Sequence, residues 1–315
     1  MRTIRTIGEL RGVRGPVVLC LGVFDGVHLG HQSVISEALS DAVKLEGSAV
    51  VLTFDPHPAR VVRPDKAPRL LTSTAHKAAL LEDLGVETLL IVNFDAAFAA
   101  QDPGQFVEAL DGACDPLKQI SVGEGWTFGR GRSGTVGLLR EMGERLGFRV
   151  KAQLPIEADG ETVSSTRIRR AVESGDFATA RRCLGRDFTI LGTVERGRQL
   201  GRTIGFPTAN LRAHNEQFPP DGVYAVRCRV GEREHAGVAN IGYRPTVTEG
   251  RAERSLEVHL FDFGEDIYGQ DVEVTFVAYL RGEQRFESVE VLKEQIARDV
   301  EAARAVSHAD FDPQA

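Results

Sequence analysis

Up to about residue 185, short β-rich runs alternate with longer helical patterns; beyond it, strands follow one another with no helices between them. The first stretch holds VVLCLGVF (17–24), SAVVLTF (48–54), TLLIVNF (88–94), QISVG (119–123) and FRVKAQLPI (148–156). Near-continuous apolar strands separated by helical segments such as HKAALLEDLG predict a parallel α/β sheet covered on both faces, with ligand sites at the carboxyl ends of its strands. The second stretch holds FTILGTV, GVYAVRCRV, EHAGVANIG, SLEVHLFDF and DVEVTFVAYL, the pattern of an antiparallel sheet or small barrel. Alternation puts Val272, Val274, Phe276, Ala278 and Leu280 on one face, and sets Leu256, Val258 and Leu260 against Glu257 and His259. From Ser288 to about Val306, Val289, Leu292, Ile296 and Val300 fall at helical spacing and predict a closing helix. Two domains are expected, residues 1–185 and 186–308, a division that suits a chain of 315 residues.

The chain carries 38 basic and 45 acidic side chains, a net charge of −7. So acidic a chain lacks the electrostatic footprint of a non-specific nucleic-acid binder, and any phosphate recognition must come from local pockets. Apolar runs such as Val17–Leu21 fall far short of the ~20 residues that span a bilayer. Cys20, Cys114, Cys183 and Cys228 show neither a C-x-x-C pair nor zinc-ligand spacing. The expectation is a soluble cytoplasmic protein with no membrane or nucleic-acid partner, no disulfides and no structural zinc. Glycine is in excess, at 33 residues, and concentrates at 22–30, 123–134 and 192–205.

The first strand runs into Gly22-Val23-Phe24-Asp25-Gly26-Val27-His28-Leu29-Gly30-His31, and a helical pattern follows. Two histidines three apart at a helix start share a face, while Gly26 and Gly30 let backbone approach a ligand. Free N–H groups and the helix dipole favour phosphate there. The plainer alternative is a tight turn with one capping histidine. In Ser164-Ser165-Thr166-Arg167-Ile168-Arg169, either serine can cap a helix while Thr166 and Arg169 project toward an anion; solvated arginines are the alternative. His57, in Thr53-Phe54-Asp55-Pro56-His57-Pro58, closes the second strand. Gly129-Arg130-Gly131-Arg132-Ser133-Gly134 is a literal G-x-G-x-x-G with Glu157 ending the next strand. A dinucleotide-binding turn follows its strand directly, however, and here Gly-Glu-Gly-Trp-Thr-Phe intervenes.

No Walker A motif occurs, so kinase chemistry would need another phosphate cradle. The candidate is the loop GTVERGRQLGRTIGFPTAN (192–210). Its Gly197, Gly201 and Gly205 let N–H groups converge on phosphate oxygens, and a Thr208 hydroxyl with an Asn210 carbonyl suits Mg²⁺. A hairpin turn is the alternative.

The H-x-G-H turn resembles that of the nucleotidyltransferase superfamily, which transfers AMP from ATP. Further motifs narrow the likeness: T-F-D-P-H-P, Pro68-Arg69-Leu70-Leu71-Thr72, S-S-T-R-I-R, G-F-P-T-A-N, Asp221-Gly222-Val223-Tyr224-Ala225 and Asn240-Ile241-Gly242-Tyr243-Arg244-Pro245-Thr246. Over nearly its whole length the chain is similar to the prokaryotic bifunctional riboflavin kinase/FAD synthetases. That resemblance implies a Rossmann-like α/β nucleotidyltransferase domain, then an antiparallel β-barrel kinase domain with a C-terminal helix. It implies phosphorylation of riboflavin to FMN and adenylylation of FMN to FAD with release of pyrophosphate, both from ATP with Mg²⁺. Carried over by motif, Glu257 is the general base for the riboflavin 5′-hydroxyl, and Thr208 and Asn210 hold Mg-ATP. His28, His31 and Arg169 serve adenylyl transfer; Gly22, Phe24, Gly30, His57, Ser165, Thr166, Gly197, Gly201 and Gly205 bind nucleotide. Gly125 and Trp126 depart from the family, which usually has an acid or amide and a Phe there. Rival readings are a kinase with an impaired adenylyltransferase domain, an adenylyltransferase for another small phosphate ester, and a dinucleotide-dependent oxidoreductase.

Overall fold

The computed structural model describes residues 1–197, 201, 204–245 and 252–310. Arg198, Gln199, Leu200, Arg202 and Thr203 of the glycine-rich loop, and Thr246, lie outside the described residues. The chain divides into two compact units, Met1–Leu70 with Thr74–Ser165, and Leu71–Ser73 with the chain from Thr166 onward.

In the first unit a six-stranded parallel sheet runs in the order β1-β4-β3-β2-β5-β6. Its strands are β1 (Arg2–Ile4), β2 (Val17–Leu21), β3 (Ser48–Asp55), β4 (Thr88–Asn93), β5 (Leu117–Gly123) and β6 (Arg149–Gln153). The helices between them are α1 (Leu29–Lys44), α2 (Pro58–Val62), α3 (Thr74–Asp83), α4 (Ala96–Ala99), α5 (Pro103–Asp111) and α6 (Val136–Leu146). Alternate residues of β2 feed opposite layers: Val17, Leu19 and Leu21 join one core cluster, Val18 and Cys20 the other. This two-sided burial is why the strands read as continuous apolar runs. The chain leaves β2 for β3 on one side and reaches β5 on the other, so the turn after β2 opens at the sheet's topological switch point. The sequence pattern did not anticipate β1, whose three residues Arg2-Thr3-Ile4 bury only Ile4. A small hairpin of β7 (Glu157–Ala158) and β8 (Glu161–Thr162) ends the unit.

The G-x-G-x-x-G stretch forms a 3-10 turn at Arg130–Arg132, with Phe128 bridged to Gly134. A Cβ on Gly134 would fall 2.8 Å from the Phe128 ring, so this glycine makes room for a buried aromatic. No strand runs directly into the turn, and the dinucleotide fingerprint is not built.

The second unit holds α7 (Ser165–Ser174, from Thr166) and α8 (Phe177–Leu184). A closed antiparallel barrel follows, with strand order β10-β13-β12-β11-β14-β9, and then α9 (Val289–Asp310). The barrel strands are β9 (Thr189–Glu195), β10 (Ala209–Ala213), β11 (Gly222–Val230), β12 (Arg233–Pro245), β13 (Ala252–Leu260) and β14 (Asp271–Arg281). The compact units part at Ser165, ahead of the change of period near 185, because α8 packs on the barrel. Its Phe177 ring stacks on Phe276 at 5.8 Å and meets Tyr224 edge-on at 6.0 Å. Leu71 rejoins this unit because it is buried and its carbonyl accepts from the Asn215 amide.

The barrel interior takes Val226, Cys228, Ile241, Leu256, Val258, Val272, Val274 and Phe276, all buried. The alternation read along β14 does not run through: Ala278 and Leu280 pack outside the barrel, with Val223, Ala225, Val300 and Ala303. Register shifts between Val223 and Tyr224 and between Ala225 and Val226 on the partner strand account for this, since a bulge moves the following side chains to the other face. Of the helical stripe, Leu292, Ile296 and Val300 are half-buried as expected, but Val289, at the first residue of α9, is 55% exposed.

Candidate active sites

In the first unit the H-x-G-H turn leaves β2 and enters α1. His28 is the N-cap: its Nδ1 accepts from the His31 N–H at 3.3 Å. A neutral imidazole with Nδ1 used as acceptor carries its proton on Nε2, so the outer nitrogen is a donor. The two rings stack at 3.5 Å, and the Phe24 ring meets His31 edge-on at 5.3 Å. Gly30 makes this possible, because a Cβ there would sit 3.2 Å from His28 Cε1; one on Gly22 would strike the Phe24 ring at 2.6 Å. Burial, His28 and Lys77 together hold His31 well below the ordinary histidine range, so it is neutral near pH 7. His31 Nδ1 is buried without a hydrogen-bond partner among the described residues.

His57 repeats the device: it caps α2 through Nδ1, which accepts from the Ala59 N–H at 3.1 Å, at the carboxyl end of β3 beside β2. The Ser165 hydroxyl donates to the Asp25 carbonyl at 2.9 Å, so it braces the H-x-G-H turn. Thr166, exposed, and Arg169, half-buried, lie in the first turns of α7, in the portion that clusters with the second unit. Trp126 stacks on Phe128 at 4.5 Å and packs against the core, and a Cβ on Gly125 would meet nothing within 4 Å. The two departures from the family pattern are thus accommodated locally, and nothing in the fold favours the impaired-domain rival.

In the second unit, cross-strand register aligns Asn210 on β10 with Glu257 on β13, and Glu257 with Asn240 on β12. Directly opposed residues of adjacent strands share a face, so these three polar side chains form one row outside the barrel. The row continues through Val223 to Arg281. It borders a cavity of about 630 Å³ whose walls include Thr208, Asn240, Glu257, Arg281 and Glu283, with Leu292, Ile296 and Asp299 of α9 facing them. An adjoining hollow of about 300 Å³ is lined by Val194, Val258, Leu260, Ile267 and Tyr268 together with Glu265 and Asp266, and Thr208 borders both spaces.

The glycines of the loop shape these residues. A Cβ on Gly197 would lie 2.2 Å from Asn210 Nδ2, and one on Gly201 would strike the Phe206 carbonyl and lie 3.2 Å from Thr208 Oγ1. Gly205 has φ +90°, a conformation that favours glycine.

Two positioning residues escaped the sequence reading. His259 Nδ1 donates to the Pro207 carbonyl at 2.7 Å, and its ring meets Phe206 edge-on, pinning the G-F-P-T-A-N segment to β13. Alternation had already placed His259 on the face of Glu257, which was the available signal. Arg281 forms a forked pair with the buried Asp299 carboxylate at 2.7–3.1 Å, tying β14 to α9. No local pattern marked that pair, because its partners come from different elements.

For a divalent cation the donor set is spare but chemically apt. Asn210 is 8% exposed and makes no side-chain hydrogen bond among the described residues. Its oxygen and the Thr208 hydroxyl are hard ligands. No group of three His, Cys, Asp or Glu among the described residues could hold a metal ion.

Comparison with known proteins agrees with both halves. Residues 12–167 match the FAD synthetase family and residues 184–307 the riboflavin kinase family. A bifunctional riboflavin kinase/FMN adenylyltransferase of Haemophilus influenzae is 40% identical over 97% of this chain and 99% of its own; that of Bacillus subtilis is 39% identical over 91% of each. A Streptococcus pneumoniae crystal structure described as a macrolide-efflux protein superimposes with a TM-score of 0.80 at 31% identity, covering 96% of this chain and 98% of its own. Among the described residues of this chain no helix is long and apolar enough to cross a membrane. In sequence over nearly its whole length, and with both family models matched in order, the chain belongs to the bifunctional riboflavin kinase/FMN adenylyltransferase family.

Proposed function

We propose that residues 186–308 phosphorylate riboflavin to FMN and that residues 1–185 adenylylate FMN to FAD, each step consuming one ATP. The observation that carries this reading is the occurrence, in one chain, of an H-x-G-H helix N-terminus at a sheet switch point and a Glu257-centred polar row beside a flavin-sized cavity.

In the kinase step the Glu257 carboxylate accepts the proton of the riboflavin 5′-hydroxyl as its oxygen bonds to the γ-phosphorus and ADP departs. Thr208 and Asn210 would hold Mg²⁺ with the ATP phosphates, and the cation would neutralise charge on them. Gly197 and Gly201 leave room for those two side chains, and Gly205 gives the loop its left-handed turn. The larger cavity suits the flavin, and the hollow beyond Thr208, with both apolar walls and polar groups, suits the adenine ring.

In the adenylyl step a phosphate oxygen of FMN bonds to the α-phosphorus of the second ATP, and the bond from that phosphorus to pyrophosphate breaks. The attacking oxygen is already ionised at neutral pH, so this site needs alignment and charge stabilisation more than a base. His28 supplies an Nε2–H donor, α1 its N-terminal N–H groups, and Gly22, Phe24 and Gly30 the shape of the turn. We assign His31, His57 and Ser165 to the same nucleotide and, by their motif, Thr166 and Arg169 to nucleotide binding. Four unpaired cysteines and a requirement for ATP suit the cytoplasm.

The test incubates purified protein with riboflavin, ATP and Mg²⁺ and separates the products. FMN followed by FAD supports the assignment. FMN that never becomes FAD removes the adenylyl half, and no turnover removes both.

A further inference from the structure

Beneath the H-x-G-H turn lies a lysine with no assigned role. Lys77 of α3 is 5% exposed. Its Nζ donates to the Val23 carbonyl at 2.7 Å and to Thr53 Oγ1 at 3.2 Å, and Thr53 Oγ1 donates to the same carbonyl at 3.0 Å. The turn that Val23 opens is strained, with φ of +51° at Phe24 and +42° at Val27. Such angles are sparsely populated by residues with side chains, and a β-branched one resists them most. Side chains therefore hold the turn by its carbonyls: Val23 through Lys77 and Thr53, Asp25 through Ser165, and Val27 through Gln32 at 2.8 Å. In a planar trans peptide C=O and N–H point opposite ways, so drawing the Val23 carbonyl down to Lys77 turns the Phe24 N–H away from α3.

The ionisable groups around Lys77 are Asp25 in the turn, Asp55 at the end of β3 and His31 in α1, with His28 stacked behind His31. Burial outweighs the two carboxylates and brings the ammonium down to about 8. It is thus charged at neutral pH and neutral in moderately alkaline solution.

We propose that charged Lys77 is a positioning residue for adenylyl transfer, fixing the Val23–Phe24 peptide so that the turn presents its N–H groups and His28 to the α-phosphate of ATP. The inference rests on placing adenylyl transfer at this turn. Lys77 neither gives nor takes a proton in the step.

The test measures FMN adenylylation by the full chain from about pH 6.5 to about pH 9.5, for wild type and Lys77→Met, with riboflavin phosphorylation by the same preparations as control. Wild-type kcat for adenylylation should fall about tenfold per pH unit above about pH 8, on a limb that phosphorylation does not share. Lys77→Met should lower that kcat about tenfold or more and abolish the limb, leaving phosphorylation and the KM for ATP within about twofold. Deprotonating Lys77 relieves a buried charge, so its contribution to stability rises over the same range and the limb is not unfolding. A variant with the wild-type rate and limb overturns the proposal, as does a wild type without the limb; the latter needs no variant to fold. Absence of FAD at every pH would instead remove the site assignment, whereas FAD formation with a flat profile removes only the role of Lys77.

Discussion

Gly197→Ala adds one methyl group where Asn210 already stands. The new Cβ would lie 2.2 Å from Nδ2, 2.5 Å from Cγ and 2.9 Å from Oδ1 of Asn210. Carbon and nitrogen in contact need about 3.5 Å, so the amide must retreat by about 1 Å. Asn210 cannot do this by shifting its strand, because β10 is hydrogen-bonded to β9 and β13 on either side; its side chain must rotate. The backbone at Gly197 lies outside the left-handed region, so alanine adds no strain of its own. A displacement of about 1 Å in a ligand-orienting group costs about 10²-fold in rate, equivalent to about 2.7 kcal/mol of barrier. The assay follows riboflavin phosphorylation and, with FMN supplied, adenylylation by the same sample. Phosphorylation should fall about 100-fold with adenylylation unchanged, and Gly197→Ala combined with Asn210→Ala should be no worse than Asn210→Ala alone. A Gly197→Ala protein that keeps phosphorylation within about threefold of wild type would refute the steric reasoning.

Glu257→Gln keeps the shape of the row but removes the proton acceptor, so riboflavin phosphorylation should drop about 10²–10⁴-fold while FMN adenylylation is unaffected; equal loss of both would contradict the division of labour. Gly30→Ala should lower the thermal midpoint, because the new Cβ stands 3.2 Å from His28 Cε1 with no room to relax, and at the second residue of α1 the interior helix preference for alanine offsets little of that. It should also cut FAD formation about tenfold, because His28 is stacked on His31 and cannot back away from the new methyl; enzyme turnover and a melting curve check both signs. Burial alone would raise the Asp41 carboxyl, but hydrogen bonds from Lys151, Gln119 and Lys44 hold it near about 2. A carboxyl lowered on folding contributes stability that is present above its unfolded value of 3.8 and is lost as pH falls through about 2. Asp41→Asn should therefore cost about 2 kcal/mol near neutral pH and flatten acid unfolding between about pH 4 and about pH 2, as urea titrations at several pH values would report.

Much of this was legible in the chain. Five of the six strands of the parallel sheet were visible as β-rich runs, most plainly β2, β3 and β4, which burial on both faces makes apolar almost throughout. The H-x-G-H turn and G-F-P-T-A-N stood out because each is contiguous in sequence, whereas Glu257 stood out only through the resemblance to the family, since a lone carboxylate on a strand looks like any solvated one. Where the reading failed, the cause was not local. Two register shifts opposite β14 turned Ala278 and Leu280 outward, and a bulge depends on the partner strand. The grouping of α7 and α8 with the barrel was likewise invisible, because Phe177 has its aromatic partners on strands far along the chain. Lys77 left a weaker trace: it stands at i−4 from the fully buried Leu81, a charge on the apolar stripe of a helix, and such a charge needs buried partners that no single segment reveals. The glycines were read as places for phosphate; Gly22, Gly30, Gly197 and Gly201 are also places where neighbouring atoms leave little or no room for a Cβ.

The two sheets also end differently, and that bears on how the protein behaves when crowded. An unpaired strand edge is a template for another chain, and natural sheets blunt theirs by shortening or charging them. The barrel has no such edge, since β9 and β10 join to close it. The parallel sheet has two, and both are poor templates: β1 is three residues long, and β6 reads Arg149-Val150-Lys151-Ala152-Gln153, with a polar side chain at every second position. Strand addition, the commonest route from a folded β protein to an aggregate, is thus discouraged at each margin by a different means: closure in one unit, brevity and charge in the other.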